Sequence, residues 1–125
     1  MLPTDFSKKC TENVLRSMRL AENDLSCLKE RRKGRYLGFV ICNIRDGWHF
    51  LPHFLKHYRS IGVKKFIFID NGSVDGSKEY LLHQEDCDVY ESLGDFKSTN
   101  GGMFWKNIII ERNKDANWVL SVDID

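Results

Sequence analysis

Two aspartates, Asp123 and Asp125, directly follow the apolar run Trp118-Val119-Leu120-Ser121-Val122. On extended backbone, residues two apart project to the same side, so both carboxylates can face one cation. No Cys or His stands beside them, and hard oxygens alone suit Mg²⁺ or Mn²⁺ shared with phosphate oxygens. Such a cation would neutralise a diphosphate and stabilise it as a leaving group. A second polar group, Asp70-Asn71-Gly72-Ser73-Val74-Asp75-Gly76-Ser77, follows Phe66-Ile67-Phe68-Ile69. Asp70 could accept hydrogen bonds from a base or from sugar hydroxyls. A third group, Asn43-Ile44-Arg45-Asp46-Gly47, follows Tyr36–Cys42. Asp-x-Asp alone is a common pattern. Its weight here comes from standing at the end of an apolar strand, with two further polar loops in the same situation.

The elements that must position these groups read as alternating strands and helices. The near-continuous apolar runs 36–42 and 66–69 are strands buried on both faces, as in a parallel sheet. Between them lies a helix with Pro52 in its first turn, a buried stripe of Phe54, Leu55, Tyr58 and Ile61, and Gly62 as its stop. Ser73 is placed as the N-cap of a short helix running to His83, with Tyr80, Leu81 and Leu82 packing inward. Cys87–Tyr90 is a weaker strand near a sheet edge. Residues 91–102 form a polar, glycine-bearing loop of the kind that carries function. Met103–Asn113 is a helix offering Phe104, Ile108 and Ile109 to the core, and 118–122 is the last strand. This order specifies an α/β fold with right-handed crossovers, in which the polar strand ends gather on one sheet edge.

The first 35 residues read as a helical, basic lead-in to the domain at 36–125. Thr11–Lys33 carries Val14, Met18, Ala21, Leu25 and Leu28 near the helical period, and Lys29–Arg35 closes it with a basic cluster. Nine of the 19 Lys/Arg lie within residues 1–36, leaving the remainder mildly acidic. That balance gives no reason to expect a nucleic-acid groove. The four cysteines form no CxxC pair, and Cys42 in its apolar run reads as a buried free thiol. No segment is long and apolar enough to span a membrane and no signal peptide is evident, so a cytoplasmic protein is expected. Lys29–Arg35 is the place where it would touch an anionic membrane surface.

Other chemistries fit less well. His49, His53 and His57 recur every four residues, but His49 precedes the helix, so a shared metal face is not expected. A dinucleotide fold would need Gly-x-Gly-x-x-Gly after the first strand, and a phosphate-loop ATPase would need Gly-x-x-x-x-Gly-Lys-Ser/Thr; neither occurs. A phosphoacceptor receiver could use Asp46, Asp70 and Asp123, but would not explain the turn-rich 71–77 run.

Taken together, Phe39–Asp46, Leu51–Val63, Phe68–Ser77 and Trp118–Asp125 resemble the amino-terminal half of a family-2-like glycosyltransferase of the GT-A fold. The resemblance covers residues 36–125. It implies a three-layer, mostly parallel Rossmann-like sheet and a nucleoside diphosphate sugar donor, UDP- or GDP-linked, with Mn²⁺ or Mg²⁺ as cofactor. Asp70 would contact the nucleobase, and Asn71 beside it is a further donor-binding residue. Asn43, Arg45 and Asp46 belong to the first donor-binding loop, where family members commonly carry Glu in place of Asp46. Asp123 and Asp125 match the metal and sugar-nucleotide motif, Asp125 being the firmer ligand, while Ser73 and Asp75 are structural. In the family a second half supplies the acceptor site and any general base, so no catalytic residue is nominated within the 125 residues. The expectation is an incomplete glycosyltransferase that binds donor, its acceptor not identified. The alternatives are a non-catalytic nucleotide-sugar-binding or interaction module, or a receiver-like domain.

Overall fold

A computed structural model describes residues 12, 15, 16, 18–30 and 36–125. Five strands form one open sheet: β1 (Leu25–Lys29), β2 (Gly38–Ile44), β3 (Phe66–Asp70), β4 (Cys87–Ser92) and β5 (Trp118–Val122), in the order β1-β4-β3-β2-β5. The four strands β4-β3-β2-β5 are mutually parallel, and β1 pairs antiparallel with β4. Three helices connect the parallel strands: α1 (Leu51–Ser60), α2 (Ser77–Leu82) and α3 (Met103–Arg112). The chain is therefore α/β, with a mostly parallel sheet consistent with a Rossmann-like fold.

Strand alternation divides the core into two layers. Val40, Cys42, Phe66, Phe68, Cys87 and Val89 point to one face, where they meet Leu51, Phe54 and Leu55 of α1 and Leu81 of α2. Phe39, Ile41, Ile67, Ile69 and Tyr90 point to the other, against Ala21 and the α3 residues Trp105 and Ile109. β3 is buried at all five positions, as its unbroken apolar run requires. Each fully buried large side chain contributes on the order of 1.5–3 kcal/mol. The three central strands are thus covered on both faces, while β1 and β5 at the edges are largely exposed.

Helix α1 begins with Pro52 in its first turn and ends as expected. The Gly62 N–H donates to Arg59 O (3.2 Å) and the Val63 N–H to Tyr58 O (3.0 Å), with Gly62 at φ 101°. This is the paired closure that a left-handed glycine permits. Ile61, however, lies beyond the helix and is exposed, not part of the buried stripe. The Arg59 guanidinium then ties α1 to the turn before β4 through both Asp86 carboxylate oxygens, at 2.7 and 2.8 Å.

Two further expectations are corrected. The helix placed over 11–33 does not continue through its second half: residues 18–24 are helical, but Leu25–Lys29 is strand β1. Val14 and residues 31–35 of the basic cluster lie outside the described residues. The apolar spacing is helical, yet β4 has an outer edge of backbone donors and acceptors, and pairing with it outweighs a weak local preference. β4 accordingly lies next to the sheet edge, as expected, but is covered there by β1, and Lys29 donates its Nζ to the Gln84 carbonyl. The second helix starts at Ser77, not Ser73, with Gly76 (φ 95°) at its N-cap position. Ser73 cannot cap it because its hydroxyl accepts the Asp46 N–H (2.9 Å) and its own N–H donates to Asp70 Oδ2 (3.0 Å).

Candidate functional site

After β2 the chain moves outward to β3 and β4, then returns past β2 to lay down β5 on its other side. That reversal leaves a crevice beyond the carboxyl ends of β2 and β5, the place where open α/β sheets bind ligands. A cavity of about 320 Å³ occupies it. Asn43, Ile44 and Arg45 from the end of β2 form one wall, with Asn71 beside them. Asp123, Ile124 and Asp125 beyond β5 form the opposite wall. Phe96 and Gly101, from the loop between β4 and α3, complete it.

Five of the residues singled out from the sequence thus share one cleft: Asn43, Arg45, Asn71, Asp123 and Asp125. The two aspartates are exposed toward it and Arg45 is exposed at the β2 end. Asp46 and Asp70 do not line the cavity. Asp46 adopts φ 51° and accepts the Val74 N–H through Oδ1 (2.8 Å), so its carboxylate ties the first loop to the second. Asp70 is fully buried at the end of β3; Oδ2 accepts the Ser73 N–H, and Oδ1 is buried without a hydrogen-bond donor. Asn71 holds the third loop, its Nδ2 donating to Ser92 O (2.9 Å) and Gly94 O (3.1 Å).

The loops are cross-braced as well as anchored. The Asn71 N–H donates to Ile44 O (2.9 Å), and the Trp48 N–H to Asp75 Oδ2 (3.0 Å). Asp75 also accepts from the Ser77 hydroxyl (2.6 Å) and the Ser77 N–H (3.0 Å). Desolvation would raise the Asp75 carboxyl, but the Ser77 hydroxyl and the Trp48 and Ser77 N–H groups together hold it below the ordinary value. Its carboxylate is therefore a structural acceptor.

Cys42 lies just beneath the cleft, and burial pushes its thiol up to about 12, with the Asp123 and Asp125 charges adding to the rise and Lys106 opposing it. It is a neutral, inert thiol at neutral pH and no nucleophile. Asn43 stands closest to the loop: its Oδ1 is buried without a donor, and its amide packs on Gly102. A Cβ on Gly102 would lie 2.2 Å from Asn43 Nδ2 and 3.0 Å from Phe96 Cε2, at a backbone φ of 78°. Gly102→Ala is therefore expected to push Asn43 into the cleft and to cost about 1–3 kcal/mol, read by urea unfolding. A neutral outcome would show that the loop packs elsewhere.

Phe96, Gly101 and Lys106 were not singled out from the sequence as site residues. The glycine-bearing loop was legible, but which of its side chains turns inward depends on how α3 docks. Among the described residues no group of three or more His, Cys, Asp or Glu side chains converges, so a cation here would have two protein carboxylates. That still fits Mg²⁺ or Mn²⁺, which are commonly held by one or two carboxylates, substrate phosphates and waters. Among those residues no helix is long and apolar enough to cross a membrane. The fold and the cleft define an α/β protein with a crevice of mixed polar and apolar lining at the point where its strand order reverses. Comparison with protein-family models, curated proteins and solved structures finds no match.

Proposed function

We propose that this chain is the donor-binding half of a family-2-like glycosyltransferase of the GT-A fold, which transfers a sugar from a nucleoside diphosphate sugar to an acceptor. The observation that carries the reading is the meeting of Asp123 and Asp125 with Asn43, Arg45 and Asn71 in one cleft at the strand-order reversal. In it, Asp125 and Asp123 hold Mn²⁺ or Mg²⁺, whose chemistry is to neutralise the diphosphate as it leaves. Arg45 pairs with a phosphate oxygen from the β2 side. The Asn43 amide, with its buried acceptor, orients the sugar–phosphate end. Asp70 stands beneath the nucleoside end, fully buried, and holds the second loop there through the Ser73 N–H. Phe96 and Ile124 supply the apolar surface that excludes water from the donor. No catalytic base is assigned, and the activity expected of these residues alone is donor binding.

Calorimetry with UDP- and GDP-sugars tests this directly. Binding should require Mn²⁺ or Mg²⁺. Asp125→Ala should weaken it by at least the roughly 10–100-fold seen when a metal site loses even an outer partner. Metal-independent binding, or no binding across a broad donor panel, would overturn the reading. A receiver-like role is disfavoured because the Asp46 carboxylate is spent on the Val74 N–H.

A further inference from the structure

Lys106 sits on the buried side of α3 and is only 4% exposed. Its ammonium reaches the end of β5, donating to Ser121 Oγ (2.9 Å) and to the Val122 carbonyl (3.2 Å). Both acceptors are neutral, so these bonds satisfy donors without neutralising the charge. A buried ammonium is costly unless an opposite charge stands near it. The next residue along from Val122 is Asp123, and the Cys42 thiol feels Lys106, Asp123 and Asp125 together. Of the three charges, the ammonium therefore stands behind the β5 wall, while the two carboxylates face the cleft.

Their sum has a consequence for what the cleft can hold. Two carboxylates and one ammonium leave a net single negative charge on the β5 side, with Arg45 on the β2 side common to every variant compared below. A bound dication turns that region net positive, so an anion is drawn in beside the metal. Without the ammonium, the same dication would leave the β5 side neutral, and the anion would keep only the metal and Arg45 as attractions.

We propose that Lys106 is a positioning residue: a fixed internal cation that makes the Asp123–Asp125 cleft take a dication together with a diphosphate, and not a dication alone. The inference rests on the reading of Asp123 and Asp125 as the cation's ligands. Lys106 itself touches neither ligand. It acts through its field and through its grip on Ser121 and Val122.

The two bound species should respond to loss of this charge in opposite directions, which no purely structural role would produce. The test is a titration of the full chain with Mn²⁺ alone, then with inorganic pyrophosphate at saturating Mn²⁺, in the unaltered protein and in Lys106→Met, Lys106→Gln, Lys106→Arg and Asp125→Ala. Lys106→Met and Lys106→Gln should bind Mn²⁺ a few-fold more tightly and pyrophosphate about tenfold or more weakly. Lys106→Arg should keep both near the starting values. Weakening of both ligands in the two neutral variants would mean that Lys106 merely braces β5 and would overturn the proposal, as would no change in either. Lys106→Gln retains a donor to Ser121, so it carries the test if Lys106→Met does not fold. Should neither neutral variant fold while Lys106→Arg does, the charge serves stability and the proposal also fails. Undiminished Mn²⁺ binding in Asp125→Ala would instead sink the carboxylate-pair reading, whatever Lys106 does.

Discussion

Asp88→Ala should cost about 3–5 kcal/mol of stability, the usual penalty for stripping one partner from a buried ion pair. Asp88 opens onto the sheet interior from β4, opposite Ile67 of β3, and its Oδ1 accepts from Lys65 Nζ at 2.6 Å. Both side chains are only 5% exposed. The Lys65 ammonium also stands over the Tyr36 ring, 5.3 Å from its centre. Removing the carboxylate leaves that ammonium buried without this partner. Against a total of roughly 5–15 kcal/mol for a domain this size, much of the folded margin would go. Urea unfolding of Asp88→Ala checks the figure, and Lys65→Met combined with Asp88→Leu supplies the contrast, because replacing a whole buried pair with apolar groups is often neutral. A loss under about 1 kcal/mol in the single variant would show that the pair is solvated. This pair lies at the opposite end of the strands from the cleft, so ligand binding should survive in whatever fraction stays folded.

Gly38→Ala should have the second-largest effect, and it reports on the cleft. Gly38 opens β2 and pairs with Trp118, the first residue of β5. A Cβ there would lie 2.3 Å from the Trp118 carbonyl oxygen and 2.2 Å from Cδ2 of its indole. The ring could turn away, but the carbonyl belongs to the backbone being paired. β5 must therefore move, and it is an edge strand whose only strand partner among the described residues is β2. The expected cost is about 1–3 kcal/mol, with faster amide exchange at 118–122. Because Asp123 and Asp125 follow directly from β5, Mn²⁺ binding should weaken in parallel. A strand glycine replaced by alanine would otherwise gain about 0.5–1 kcal/mol from backbone entropy alone. The sign therefore decides whether this contact pins β5.

Much of the architecture can be read without coordinates because its signals are local. The unbroken apolar run Phe66–Ile69 and the abrupt polar turn after it placed β3 and Asp70 correctly. Trp118–Val122 appears as β5 with the expected boundaries, and Gly62 closes α1 as its position suggested. Each of these depends on neighbours within a few residues in the chain. Even the gathering of Asn43, Arg45, Asn71, Asp123 and Asp125 follows from one rule: parallel strands carry their ends to the same edge.

What only the tertiary structure decided involves partners distant in the chain. Leu25–Lys29 has helical spacing yet becomes a strand, since β4 offers an open edge that no local pattern announces. Asp46 and Asp70 carry the residue types expected of ligand contacts, but hydrogen bonds to Val74 and Ser73 turn them to bracing the loops. Lys106 reads as one more polar residue of a helix; its burial against Ser121 and Val122 depends on how α3 docks on β2 and β5. The Asp-x-Asp at the end of the chain is therefore legible as a pair of carboxylates from sequence. Its cover of Phe96 and the ammonium behind it come from packing, because each is set by contacts across the sheet and not along it.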